Sequence, residues 1–373
     1  MSKTILITGG AGFIGSHTAD ALLARGYRVR VLDSLISQVH PGRRRPDYLA
    51  AEVELLVGDI CDPEAVAAAL EGVDYVYHMA AETGVGQSLV EVERYFQTNV
   101  TGTAVLWQTI QRTQAPIKKV ILASSRAVYG EGEYSCPTCG VVYPGQRAAA
   151  QLHDEQWHPI CPHCQRLLSL RPVSETTPSL PVSIYGLTKH NQEDLCHLMG
   201  KTLNIPVTIL RYFNVYGPRQ AHTNPYTGVV IHFFRQAMER QPVPLYERGL
   251  PIRDFVHVLD VVQANLLALH APPAVGSAVY NVGSGQAMSI RELAEMVFTA
   301  VNLPPRLQST ARFRLGDIFG CYADLSRIRR LGYTPEVAFA DGLATLLGGW
   351  QYEQQTAVAD IDSEMRRWGV LQG

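Results

Sequence analysis

Short apolar runs recur through the first part of the chain, and each one ends in glycine, an acid or small residues. Ile5-Leu6-Ile7 runs into Thr8-Gly9-Gly10-Ala11-Gly12-Phe13-Ile14-Gly15, after which Ala19-Asp20-Ala21-Leu22-Leu23 has a helical pattern. Arg28-Val29-Arg30-Val31-Leu32 ends at Asp33, and Val53-Glu54-Leu55-Leu56-Val57 ends at Gly58-Asp59-Ile60. Asp74-Tyr75-Val76-Tyr77-His78 leads to Met79-Ala80-Ala81, and Lys119-Val120-Ile121-Leu122-Ala123 leads to Ser124-Ser125. Runs rich in β-branched and aromatic residues between turn signals predict strands. The stretches between them predict helices, one opened by Asp62 as N-cap with Pro63 in the first turn and a longer one containing Asn99. This alternation predicts an α/β protein with a Rossmann-like, doubly wound parallel sheet, whose ligands bind at the carboxyl ends of the strands.

The first of those ends carries candidate chemistry. Gly9, Gly12 and Gly15 stand between a strand and a helix, where a tight turn lets the backbone approach a diphosphate. The first helical turn, from Phe13 and Ile14, offers free N–H groups to its charge. Asp33, at the end of the next strand, can accept hydrogen bonds from ribose hydroxyls and would repel a 2′-phosphate, which predicts NAD rather than NADP; capping a turn is the plainer alternative for it. Further on, Tyr185 and Lys189 lie four positions apart and so share a helix face. An ammonium beside a phenol there would stabilise the ionised form.

Taken together, Gly9-x2-Gly12-x2-Gly15, Asp33, Asp59-Ile60, His78-Met79-Ala80-Ala81, Asn99, Ser124-Ser125-Arg126-Ala127-Val128-Tyr129-Gly130 and Tyr185-x3-Lys189 resemble the extended short-chain dehydrogenase/reductases that act on nucleotide sugars, the NAD-dependent epimerase/dehydratase family. The resemblance implies a catalytic Ser125, Tyr185 and Lys189, with Ser125 favoured over Ser124 by its spacing from Val128-Tyr129-Gly130. It also implies cofactor contacts at Asp59, Ile60, Ala80, Ala81 and Asn99. Family dehydratases carry an Asp-Glu pair after the catalytic Ser/Thr, whereas Arg126 and Ala127 stand there in this chain. Asn214, Arg253, Arg314 and Asp317 resemble the substrate side, with the two arginines clamping a diphosphate and Arg126 near the sugar. Cys321 falls where relatives limit pocket size. The implied layout is an NAD-binding domain over residues 1–212 and a nucleotide-sugar-binding region over 213–373, with some later segments returning to the sheet.

Residues 131–175 form an insertion holding Cys136-Pro137-Thr138-Cys139 and Cys161-Pro162-His163-Cys164. Two Cys-x2-Cys pairs match a closed tetrahedral zinc site, which is structural because no coordination position stays open. Two disulfides or a tetrathiolate iron site are the alternatives. His153, His158 and His163 read as surface residues. Lying between the catalytic motifs, the insertion is expected to be a zinc-stapled flap beside the active-site mouth.

Composition narrows the partners. A net charge of −2 over 373 residues gives no electrostatic reason to expect nucleic acid or an acidic membrane. Arg43-Arg44-Arg45 reads as a solvated loop. With no signal-peptide pattern and no apolar run long enough for a bilayer, the expected location is the cytoplasm. The family resemblance implies a homodimer paired through the Tyr185 helix and the Asn99 helix, for which Leu195 and Leu198 are candidates, while Trp350 and Trp368 are expected to pack. The implied activity is a nucleotide-sugar 4-epimerase. The segment after Ser124 and the tetracysteine insertion are most similar to dTDP-L-rhamnose 4-epimerases, with UDP-glucose or UDP-glucuronate 4-epimerases next. A 4-ketosugar reductase and a non-catalytic NAD-binding scaffold are the readings from other classes.

Overall fold

The computed structural model describes residues 2–221, 224, 226, 228–272, 278–349 and 361–373. In chain order its strands begin β1 (Thr4–Thr8), β2 (Arg28–Asp33), β3 (Glu54–Val57), β4 (Tyr75–His78) and β5 (Lys119–Ser125). Three short strands of the insertion follow, β6 (Glu133–Cys136), β7 (Gly140–Val142) and β8 (Ser169–Arg171), and then β9 (Val207–Tyr212). One parallel sheet runs Val279–Val282, β9, β5, β4, β1, β2, β3. The α/β expectation holds.

The apolar runs are unbroken because both faces of this sheet are covered. Ile5, Ile7, Ile121 and Leu210 enter a core with Ala19, Leu22, Val261 and Leu266, from helices Phe13–Leu23 and Val258–His270. Leu6, Val120, Leu122 and Ile209 enter the opposite core with Val66, Leu70, Leu106, Trp107 and Cys196, from helices Pro63–Leu70, Gly102–Thr113 and Ile184–Thr202. Each fully buried Leu or Ile contributes about 1.5–3 kcal/mol. Asp62 caps its helix as expected, accepting from the Glu64 N–H at 2.9 Å.

Strand order reverses between β1 and β4, which opens a crevice at their carboxyl ends. Gly9 turns the chain there with φ of 68°, and a Cβ on it would stand 2.8 Å from the Ala80 backbone, so only glycine fits. A second lobe packs helices Val229–Met238, Ile290–Ala300 and Phe339–Gly349 around Phe234, Leu293, Val297, Phe298 and Leu343. The stretch after residue 213 serves both parts, because Val279–Val282 adds to the sheet beside β9.

The insertion packs against the second lobe. Its strands β6, β7 and β8 form an antiparallel sheet over a small core of Tyr134, Cys136, Val142, Cys161 and Leu168, and its Leu152 and Trp157 are buried against Phe313 and Phe319 of the second lobe. Arg43 and Arg44 are exposed as expected, while Arg45 is half-buried and its guanidinium closes its own loop on the carbonyls of Ala50 (2.5 Å) and Val53 (3.2 Å). Trp368 is exposed rather than packed, and Trp350 lies outside the described residues. Among the described residues, no helix is long and apolar enough to cross a membrane.

Candidate active site

A cavity of about 520 Å³ occupies the crevice. Gly9, Gly12, Phe13, Ile14 and Gly15 line one end, with Asp33, Asp59, Ile60, Ala80 and Ala81 along its side, and Ser125, Tyr185 and Lys189 at the other end. Gly12 is the N-cap of helix Phe13–Leu23 and supplies no side-chain cap, so the first-turn amides are left for an anion. The Asp33 carboxylate accepts from the Ala11 N–H at 3.0 Å and the Leu35 N–H at 2.9 Å. It therefore does cap a turn, and it also faces the cavity with lone pairs to spare. A glycine cradle, an anion-binding helix end and a ribose-side carboxylate fit a dinucleotide.

Asn99 is the exception among the residues expected to touch a cofactor. It is fully buried in a π-helical turn, Phe96–Thr101, and does not line the cavity. Its Oδ1 accepts from the Glu82 N–H at 2.8 Å, and its Nδ2 donates to the Glu82 carbonyl at 3.1 Å and to Thr188 Oγ1 at 3.0 Å. Its whole amide is spent tying the cavity wall at Glu82 to the Tyr185 helix. π-Turns of this kind recur at functional sites, and no sequence pattern announces one.

Tyr185 stands in the first turn of helix Ile184–Thr202, whose cap Ser183 accepts from the Gly186 N–H at 3.1 Å. A Cβ on Gly186 would lie 2.5 Å from the Ala127 carbonyl oxygen, so glycine lets this helix close on the turn after Ser125. That approach sets Ser125 and Tyr185 together in the lining of one cavity, close enough for the serine hydroxyl to act on the phenol. Ser124 is engaged elsewhere, donating to Glu193 at 2.5 Å within a buried pair with Arg211, which leaves Ser125 as the serine facing Tyr185.

The electrostatics differ from the sequence expectation. Burial pushes the Tyr185 phenol above its ordinary pKa, while the Ser125 hydrogen bond and the Arg126 charge pull it back. Lys189 does share the face, but its ammonium donates to the Ala123 carbonyl at 3.0 Å and to Gln192 Oε1 at 2.8 Å, and burial lowers its pKa to about 8. The phenol's cationic neighbour in the chain itself is Arg126. Gln192, which passes a hydrogen bond on to Thr103 at 2.7 Å, was missed by sequence reasoning. Its position three after Lys189 on the same helix was the available signal.

A second cavity of about 470 Å³ adjoins the first, lined by Arg126, Asn214, Arg253, Arg314 and Asp317 among others. Arg126 and Asn214 border both cavities, and Asn214 Oδ1 is a buried acceptor without a partner. Arg253 is buried and donates to Asp317 Oδ1 at 2.7 Å and to the Ile318 carbonyl at 2.9 Å. Arg314 stacks on Tyr246, 4.9 Å from the ring centre. Burial alone would raise Asp317, but Arg253, Arg314, Arg126 and Arg147 together hold its carboxyl below the usual range. So many guanidiniums around one carboxylate suit a diphosphate. Cys321 does not limit this cavity, since it is fully buried in the core and lines neither pocket.

In the insertion, the sulfurs of Cys136, Cys139, Cys161 and Cys164 lie within 4.8 Å of one another, and all are free thiols. Backbone N–H groups of Thr138 and Cys139 pull the Cys136 thiol down to about 6. Tetrahedral zinc with Zn–S of about 2.3 Å needs sulfurs about 3.8 Å apart, so the cluster fits that ion. His153 and His158, although exposed, set their rings against Phe313 and Phe319.

Residues 5–145 and 162–283 match the model of the NAD dependent epimerase/dehydratase family. The chain belongs to that family. Within its span the epimerase/dehydratase match is interrupted only inside the insertion, and it ends at residue 283. The chain is 40% identical to the dTDP-L-rhamnose 4-epimerase of Burkholderia thailandensis over 92% of its own length and 94% of that protein's. Among solved family structures, the UDP-glucose 4-epimerase of Thermotoga maritima with UDP-glucose superposes with a TM-score of 0.75 at 28% identity, covering 93% of this chain and 98% of that one. The UDP-glucuronic acid 4-epimerase of Bacillus cereus, in complex with UDP-glucuronic acid and NAD, gives a TM-score of 0.75 at 27% identity and the same coverage.

Proposed function

We propose that the protein is an NAD-dependent nucleotide-sugar 4-epimerase, an isomerase whose substrate pair is dTDP-L-rhamnose and dTDP-6-deoxy-L-talose. One observation carries this reading: Ser125, Tyr185 and Lys189 line the end of a dinucleotide-shaped cavity where it meets an arginine-lined one at Arg126 and Asn214. Tyr185 takes the proton of the sugar's C4 hydroxyl and later returns it, while Ser125 hydrogen-bonds the same oxygen. The helix N-terminus under Tyr185 and the Arg126 guanidinium stabilise the phenolate between those two transfers. Bound NAD supplies the acceptor for the C4 hydride and the source of its return, so the sugar leaves with no net redox change.

Gly9, Gly12, Phe13, Ile14, Gly15 and Asp33 would hold the diphosphate and ribose of that cofactor, with Asp59, Ile60, Ala80 and Ala81 along its length. Lys189 would hold the nicotinamide ribose. Arg253 and Arg314 grip the substrate diphosphate, and Asn214 Oδ1 accepts from the sugar. Holding the nucleotide end while the sugar turns over exposes either face of C4. Arg126 stands where a dehydratase needs its acid, which argues against water elimination.

The dTDP-rhamnose preference rests on the 40% identity to the Burkholderia enzyme; UDP-glucose and UDP-glucuronate remain the second reading because 4-epimerases for those sugars share the fold at 27–28% identity. The same reading includes structural zinc on the four cysteines, a cytoplasmic location and a homodimer. Leu198, 63% exposed on the Tyr185 helix, and the half-buried Leu195 are the apolar positions available for pairing. Incubation with a panel of dTDP- and UDP-sugars without added reductant tests the assignment. The expected result is a C4-epimer pair approaching one equilibrium from both sides; no turnover until NADH is added, with NADH then consumed in proportion to sugar, would make the protein a reductase instead.

A further inference from the structure

The insertion reaches the substrate cavity from behind. Arg147 is buried, and its guanidinium donates to Glu247 at 2.5 and 3.1 Å, to the Trp157 carbonyl at 2.9 Å and to the Asp317 carbonyl at 3.3 Å. Glu247 and Asp317 both line the arginine-rich cavity, whereas Arg147 does not. Beside it, Glu131 Oε1 accepts from Tyr134 at 2.8 Å and from the N–H groups of Phe319 and Gly320 at 2.8 and 3.2 Å. A single carboxylate thus joins the strand that leads into Cys136 to the segment that follows Asp317.

The turn that Arg147 grips is a strained one. Glu247 and Arg248 have φ of 46° and 57°, ahead of Gly249 at 78°, so two residues with side chains sit in the left-handed region. The insertion holds both of them, Glu247 through Arg147 and Arg248 through an ion pair with Glu155.

We propose that Arg147 is a positioning residue for the nucleotide diphosphate: by pairing with Glu247 from behind the wall, it keeps that carboxylate from capturing the arginines that face the ligand. The proposal rests on the nucleotide-sugar reading above. Glu247 is buried and cannot stand unpaired. Among the cations acting on it after Arg147 is Arg253, which shares its cavity wall. Removing Arg147 would turn Glu247 toward Arg253, and the diphosphate would lose part of its clamp. The metal-stapled insertion would in this way set substrate affinity without touching substrate.

The test uses the full metal-replete chain, with dTDP and UDP as probes by calorimetry and KM and kcat measured separately. Arg147→Met should weaken nucleoside diphosphate binding and raise KM by about tenfold or more, with kcat changed less than about twofold and NAD content unchanged. Adding Glu247→Gln removes the competing charge and should restore most of the affinity, which a merely structural role for Arg147 would not do. Arg147→Lys, keeping the charge without the two-pronged contact, should fall between, and it carries the test if Arg147→Met does not fold. Equal binding by wild type and the Arg147 variants, or a double variant no better than the single, overturns the proposal. Failure of the unsubstituted chain to bind either nucleotide overturns the nucleotide-sugar reading itself.

Discussion

Tyr185→Phe should lower turnover by about 10²–10⁴-fold while the protein still folds and still retains NAD. The substitution removes one oxygen and little else. The ring sits edge-on to Tyr95 at 6.4 Å between centroids and keeps that packing as phenylalanine, and what is lost is the phenolic oxygen facing Ser125. Of the other tyrosines near it, Tyr95 lies outside the cavity lining and Tyr212 donates its hydroxyl to Asn265 at 2.6 Å. A loss of this size with unchanged melting temperature and cofactor content marks a proton-transfer residue. A variant with near wild-type turnover would leave the protein an NAD-binding scaffold or put the proton transfer elsewhere.

Cys139→Ser should abolish stoichiometric zinc and lower the melting temperature by about 5 °C or more. Cys139 is the informative choice because it is exposed, whereas Cys136 and Cys161 are buried in the small core around Tyr134 and Leu168. Replacing an exposed sulfur by oxygen removes a ligand but almost no packing, so a large effect has to come from the metal. Elemental analysis alongside thermal unfolding checks it. Full metal content in the variant, or a wild-type protein that purifies without metal, would contradict a zinc staple.

Legibility in the sequence followed the range of the interactions. The sheet strands were readable because their cores lie on both faces and leave unbroken apolar runs, as at Ile5-Leu6-Ile7. Gly9 was readable because its positive φ and its 2.8 Å approach to Ala80 admit no other residue. The partnership of Ser125 with Tyr185 followed from family resemblance and depends in space on Gly186 letting a helix close on Ala127. What stayed hidden is long-range and polar. Asn99 matches a cofactor motif yet spends its amide on Glu82 and Thr188, because a π-turn redirects it. Cys321 sits at a familiar motif position but points into the core. Nothing local marks Arg147 as the partner of Glu247, one hundred residues away, so the pairing between the insertion and that turn left no sign in the sequence.

The central claim is that the C4 carbinol is oxidised and reset within one cavity, its proton moving through Tyr185 and its carbon-bound hydrogen never meeting solvent. Running the epimerisation in D2O and reading C4 of both sugars by NMR tests it most directly. The account predicts full interconversion with no deuterium at C4, since only the exchangeable hydroxyl proton passes through groups in contact with water. Deuterium at C4 in the product would mean that the carbon is deprotonated rather than oxidised, and the roles given to Ser125, Tyr185 and Lys189 would fall with it.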